Sequence, residues 1–457
     1  MNIIVIYSDT LRKDHLPCYG NETVIAPNLQ SFAEKALVFD RFYPASFPTV
    51  PCRADFLTGR YTFTYLPWGP LPQDEITLPS LLTSGGYVTG AVADTPFLTR
   101  NGYGQDRGFL DFIYVRGQLN NTQRDPMRYA SRISESEAYC APKTFKEAAD
   151  WLQLHYKEQF FLYIDTWDPH EPWDPPEYYV KPYYPDYKGE VIPPNYWDYQ
   201  EDGYTERDME IAHAAYMGEI TVVDNWFGYF MERMRVLGLM ENTAILFLSD
   251  HGFYFGEHGL FGKRRFRWPD GSGFEEGYEK GNDPASQIVH RSPLHNEITR
   301  IPLLMYMPGE SARRIDALTM VPDLMPTILD LAQVDGTERI QAPSMLPLIR
   351  GEVDSIHDFI VTSTPLEERG ELTKTVDDFS REVAEISPAS ITDGSWDLLY
   401  SVYGQKAELY RTEEDPGHLN DVFEENRPAA EKLHGLYAEW LKEQGTEERY
   451  LKPRSRI

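Results

Sequence analysis

The chain has 457 residues, enough for one large domain and a smaller one, because single cores stop growing at roughly 250–300 residues. Its 43 basic and 72 acidic residues leave a formal net charge of −29, a surface that repels nucleic acid and anionic membranes at long range. With 30 Tyr, 23 Phe and 9 Trp it can fill a sizeable core, which excludes global disorder.

The predicted elements alternate strand and helix. Residues 2–7 (NIIVIY) are an unbroken apolar run, as expected of a buried parallel strand. They have no basic leader before them and no small-residue cleavage site after them, so they do not read as a signal peptide. Residues 27–36 read as a helix with Pro in its first turn. Residues 37–42 are strand-like, and 51–57 read as a helix. A helix at 78–83 stops at Gly85-Gly86, before a strand at 87–93. Helical spacing over 143–156 precedes a strand at 160–164. A long helix is predicted over 205–239, then strands at 244–248 and 301–307, and a helix at 326–332. This alternation predicts an α/β fold with a large, mainly parallel central sheet flanked by helices.

Two stretches break the pattern. Residues 171–204 are dense in Tyr, Pro, Trp and Asp, and residues 264–296 are polar and Gly-rich. Both are too long for ordinary connections and read as functional loops; the insertion 264–296, or part of 171–204, is expected to border the pocket of Lys263. Residues 1–350 are expected to form the catalytic domain. Residues 351–457 are expected to form a small α+β subdomain with short antiparallel strands (396–403, 408–410) and a terminal helix near 429–443. Three cysteines, Cys18, Cys52 and Cys140, are too few for a disulfide framework, and no apolar run reaches ~18 residues, so a cytoplasmic protein is expected.

In a parallel α/β sheet, ligands collect at the carboxyl ends of the strands. Asp9 ends the first strand, Asp165 and Asp168 follow the strand at 160–164, and Asp250-His251 end the strand at 244–248. A lone Asp after a strand is usually a turn or helix cap. Asp-His-Gly is more telling, because adjacent carboxylate and imidazole can bind one divalent metal.

The opening NIIVIYSDTLRKDHLPCYG resembles that of the sulfatase family, in the alkaline phosphatase superfamily. FPTVPCRADFLTGRY is similar to the family's nucleophile motif, Cys-x-Pro-Ser-Arg followed by Leu-Thr-Gly. DPHEPWDPP is similar to its Pro-His-x-Pro loop, and SDHGFYFGEHGLFGK to its second metal motif and substrate lysine. RIPLLMYMPG, VPDLMPTILDLA and AELYRTEEDPG follow in family order. The resemblance implies an alkaline-phosphatase-like sandwich and a metal-dependent ester hydrolase.

Position by position, the resemblance makes Asp9, Asp250 and His251 metal ligands. It puts Thr49 at the nucleophile, where it also faces the metal. It gives Arg53, His170 and Lys263 catalytic roles at the anionic group and the leaving oxygen, and it makes Thr95 and His258 substrate-binding candidates. One divalent ion is implied; Mn²⁺, Ca²⁺, Mg²⁺ and Zn²⁺ all remain open.

Three departures stand out. Thr49 replaces the Cys that sulfatases convert to formylglycine, so no formylglycine is expected and the residue would act as a plain hydroxyl. Ala93-Asp94-Thr95-Pro96 lacks the family's Gly-Lys-x-His-Leu, and its Thr-Pro resembles phosphonate monoester hydrolases, as does the Thr-Gly-Arg-Tyr at residues 58–61. Thr10 stands where many relatives carry a second metal-binding Asp. The expected function is therefore cleavage of phosphodiesters or phosphonate monoesters through Thr49. A sulfatase lacking formylglycine is the alternative, and a non-catalytic binding protein on the same fold is the third reading. The expected partner is a small anionic ester, with no nucleic acid and no membrane; the aromatic loops leave a homo-oligomer open.

Overall fold

A computed structural model describes residues 1–95, 98, 103–115, 134–263, 293–366, 388–401 and 406–457. Most of the predicted insertion at 264–296 therefore lies outside the described residues. In chain order the strands are β1 (Asn2–Ser8), β2 (Leu37–Tyr43), β3 (Val88–Ala93), β4 (Asp111–Tyr114), β5 (Phe160–Thr166), β6 (Trp197–Asp198), β7 (Thr243–Leu248) and β8 (Tyr254–Phe255). They continue with β9 (Leu260–Gly262), β10 (Leu303–Tyr306), β11 (Arg313–Met320), β12 (Ile360–Ser363), β13 (Ala389–Thr392), β14 (Trp396–Tyr400) and β15 (Glu408–Arg411).

Eight of these form the central sheet, in the order β11-β2-β10-β7-β1-β5-β3-β4. It is parallel except for β10, which runs against both β2 and β7. The period-2 alternation of β1 shows why the sheet is buried on both faces. Ile4 and Ile6 enter one core with the helices Cys140–His155 and Glu206–Val236, while Ile3, Val5 and Tyr7 enter the other with the helices Thr49–Thr58 and Leu324–Ala332.

A second sheet, β12-β13-β14-β15, is antiparallel throughout and carries the helix Arg427–Glu443 on one face. Ile391, Leu398, Leu433 and Tyr437 share its core with Tyr43, Tyr61 and Phe63 of the larger layer. A bridge between Ser46 and Ser363 ties it to the chain just before the helix Thr49–Thr58. The segment 171–204 does not float free. Its β6 pairs with β9 immediately before Lys263, so this loop borders the lysine. No helix among the described residues is long and apolar enough to cross a membrane.

The helix expected at 51–57 starts two residues earlier, at Thr49. Pro51 is no obstacle there, because a first-turn N–H has no intrahelical acceptor to lose. The helix ends at Gly59, whose φ of 63° lies in the left-handed region.

Candidate active site

Strand β1 lies between β5 and β7, so the chain segments leaving their carboxyl ends are neighbours. Asp9 leaves β1 with its amide donating to the Thr166 carbonyl at 3.0 Å, Asp165 sits near the end of β5, and Asp250 and His251 follow β7. All four are fully buried. Gly252 completes the turn because there is no room for anything larger: a Cβ would lie 1.8 Å from the carbonyl oxygen of Glu297.

Asp9, Asp250 and His251 are the one group of three or more potential ligands, among the described residues, whose ligand atoms lie within 4.8 Å of one another. His251 Nε2 stands 4.0 Å from Asp9 Oδ1 and 3.6 Å from Asp250 Oδ2. The Nδ1 edge of His251 lies 3.0 Å from the Gly252 carbonyl, which can only accept, so Nδ1 carries the proton and Nε2 presents a lone pair. Burial, against the pull of Asp250, lowers the His251 pKa to about 3, so the ring is neutral.

Burial, with the charge of Asp250 behind it, pushes Asp9 well above the usual carboxylate range. Burial would raise Asp250 too, but the Arg53 guanidinium and the Thr10 amide outweigh it and keep the carboxylate ionised beside the neutral His251 ring. Two carboxylates this close resist double ionisation unless more positive charge arrives. Asp9 Oδ2, moreover, is buried without a well-formed hydrogen bond. A hard oxygen pair with one neutral imidazole nitrogen fits a divalent cation.

Thr10 holds both carboxylates in place. Its hydroxyl donates to Asp9 Oδ1 at 2.7 Å and its amide to Asp250 Oδ1 at 2.9 Å. It does so at φ 63°, a conformation a β-branched residue rarely adopts and one that aims both donors inward.

Thr49 and Arg53 are one helical turn apart and share a face. Thr49 Oγ1 lies 3.3 Å from His251 Nε2, and the positive end of the helix dipole favours an anion at that place. Arg53 is fully buried and bonds Asp165 with two parallel contacts, Nε to Oδ2 at 2.7 Å and Nη2 to Oδ1 at 2.8 Å. Its Nη1 reaches Asp250 Oδ2 at 2.7 Å, and Nη2 lies 3.0 Å from Asp9 Oδ2. Burial works against its charge, and Asp165, Asp250 and Asp9 more than offset it, raising its pKa further.

Across the cluster, Lys263 Nζ donates to His170 Nε2, while His170 Nδ1 lies 2.8 Å from the Glu171 carbonyl, its acceptor. Burial, then Lys263, lowers His170 well below the ordinary imidazole value, leaving it neutral. The ammonium of Lys263 acts on both Asp9 and Asp250.

Two candidates stand apart from this group in direct contacts. Thr95 donates to Asp165 Oδ1 at 2.6 Å, behind Arg53. His258 stacks on His295 at 3.7 Å between ring centroids, with its Nε2 3.4 Å from Glu297. Asp165 itself was indistinguishable in sequence from a turn residue. The signal for it was an acid within the last two positions of a fully buried strand, where a charge needs a partner.

Residues 1–334 match the family model "Sulfatase", and the chain belongs to that family. An arylsulfatase of Clostridium perfringens is 25% identical over 427 residues, covering 79% of this chain and 80% of the relative. The phosphonate monoester hydrolase of Agrobacterium radiobacter superposes with a TM-score of 0.73 at 20% identity, covering 97% of this chain and 95% of that one. A protein solved with its substrate D-glucosamine-2-N,6-O-disulfate superposes at 0.74 with 19% identity, covering 100% and 99%. The structural likenesses show the fold, and membership of the family supports ester hydrolysis as the reaction class.

Proposed function

We propose that the chain is a divalent-metal-dependent hydrolase of phosphodiesters or phosphonate monoesters, with Thr49 as a nucleophile in its encoded form. The observation that carries this reading is the position of Thr49 Oγ1, at the first residue of a helix and 3.3 Å from the lone pair of His251 beside Asp9 and Asp250. Asp9, Asp250, His251 and the Thr49 hydroxyl would hold the ion. When bound, it lowers the proton affinity of that hydroxyl and neutralises charge on the transferred group.

The residues of the chain do the rest. Thr49 Oγ1 bonds to phosphorus, its proton passing to solvent water, as the bond to the leaving oxygen breaks. Lys263 supplies a proton or a hydrogen bond to that oxygen, with its position held by His170. Water then cleaves the phosphorus–Thr49 bond. The neighbouring Cys52 is no substitute nucleophile, since burial pushes its thiol well above the ordinary value.

The second reading, a sulfatase working without formylglycine, is favoured by the arylsulfatase relative. Its difficulty is chemical. A sulfated threonine lacks the hemiacetal route by which hydrated formylglycine expels sulfate. A panel of p-nitrophenyl sulfate, p-nitrophenyl phosphate, bis-p-nitrophenyl phosphate and p-nitrophenyl phenylphosphonate, each with Mn²⁺, Ca²⁺, Mg²⁺ and Zn²⁺, separates the two. Turnover of the diester and the phosphonate well above the sulfate supports the proposal; sulfate as the preferred substrate would replace it with the second reading.

A further inference from the structure

Asp165 takes no part in the steps above, yet it is the most heavily bonded carboxylate of the cluster. Each of its oxygens accepts two hydrogen bonds. Oδ1 takes Arg53 Nη2 at 2.8 Å and the Thr95 hydroxyl at 2.6 Å; Oδ2 takes Arg53 Nε at 2.7 Å and the Tyr163 hydroxyl at 2.5 Å. Asp165 is fully buried and Tyr163 nearly so, and Asp165 lies outside the group whose ligand atoms converge.

The consequence lies in how Arg53 is aimed. A guanidinium without Asp165 would have only Asp9 and Asp250 as anionic partners. It would then turn its paired N–H groups onto them and compete with a cation for the same oxygens. Gripped along the Nε–Nη2 edge, Arg53 offers each of those carboxylates only one nitrogen, at 2.7 Å for Asp250 and 3.0 Å for Asp9. Charge points the same way. Three buried carboxylates against Arg53 and Lys263 leave one net negative charge to attract a cation; without Asp165 none would remain.

We propose that Asp165 is a positioning residue that makes the cradle of Asp9, Asp250 and His251 able to hold a divalent cation, by clamping Arg53 and supplying, through it, part of the negative charge of the site. Thr95 and Tyr163 hold Asp165 in place, which gives Thr95 a role away from the substrate. The inference rests on the proposed metal site and deepens it.

The test is calorimetric titration of Mn²⁺ alone into chelator-stripped protein, with no substrate present. Wild type should bind one ion. Asp165→Asn keeps the shape and removes the charge, and it should weaken binding ~10–100-fold, the range that outer partners of metal ligands command. At saturating Mn²⁺, KM for the ester should return to the wild-type value, which a general loss of structure would not allow. Wild type that binds no Mn²⁺ would overturn the metal site itself. Wild type that binds, with Asp165→Asn binding equally well, would overturn this inference alone. Should Asp165→Asn fail to fold, the double variant Thr95→Val/Tyr163→Phe decides by the same titration: weaker Mn²⁺ binding supports the clamp, and unchanged binding overturns it.

Discussion

Replacing Lys263 with methionine removes a positive charge and keeps most of the aliphatic stem that fills its buried site. The ammonium lies against His170 and acts on both Asp9 and Asp250, and in the proposed mechanism it meets the leaving oxygen of an ester attacked by Thr49. A cation about 4 Å from a full negative charge, at an effective dielectric of about 20, gains about 4 kcal/mol. Only the charge that develops on the leaving oxygen counts toward the rate, so roughly half to three-quarters of this is lost, ~2–3 kcal/mol. That corresponds to a fall in kcat/KM of ~30–150-fold. The assay is a series of aryl esters of one phosphonate with leaving groups of rising basicity. The loss should grow along the series, because poorer leaving groups carry more charge in the transition state. An equal loss for every ester would refute the leaving-group contact and leave Lys263 as a holder of the substrate's anionic group.

Other expectations follow from single contacts. Removal of metal with a chelator should abolish turnover, and the ion that restores it should fail to do so in His251→Ala, as read by the same ester assay. Thr205 and Asp208 form a reciprocal cap on the 31-residue helix Glu206–Val236, and Thr205→Ala should cost about 1 kcal/mol in urea unfolding. Burial, with His15 and Arg12 beside it, lowers His213 from 6.5 to about 4. The unfolded chain then takes up this proton first as pH falls, so the contribution is complete above ~6.5 and lost toward ~4. Between pH 7 and pH 5 it amounts to about 2 kcal/mol, and His213→Asn should flatten that part of the stability profile.

Motif order singled out residues that the fold brings together. Asp9, Thr49, Asp250 and His251 meet because they follow or face buried apolar strands whose carboxyl ends a parallel sheet brings together. Such strands are also the most readable elements, since burial on both faces leaves a continuous apolar run. What escaped was whatever departed from that pattern. Strand β11 opens with two exposed arginines and carries a register shift between Ile315 and Leu318, so it shows no clean alternation. Strand β4 is four residues long at a sheet edge. Asp165 escaped because its meaning depends on Arg53, 112 residues away in sequence, and no local spacing records that pairing. Thr95 and His258 were read from position in a motif; their contacts depend on Asp165 and on the ring of His295, which only the folded chain supplies.

The central claim is that the encoded hydroxyl of Thr49 forms a covalent bond to the transferred group. Acid quench within the first turnover of bis-p-nitrophenyl phosphate or a phosphonate monoester, followed by mass analysis of the Thr49 peptide, tests it directly. Wild type should carry the adduct on Thr49, and Thr49→Ala should carry none and lose several orders of magnitude in turnover with its fold intact. Thr49→Ala turning over the ester at a near-wild-type rate would contradict the account, leaving water as the nucleophile and Thr49 as the first residue of a helix.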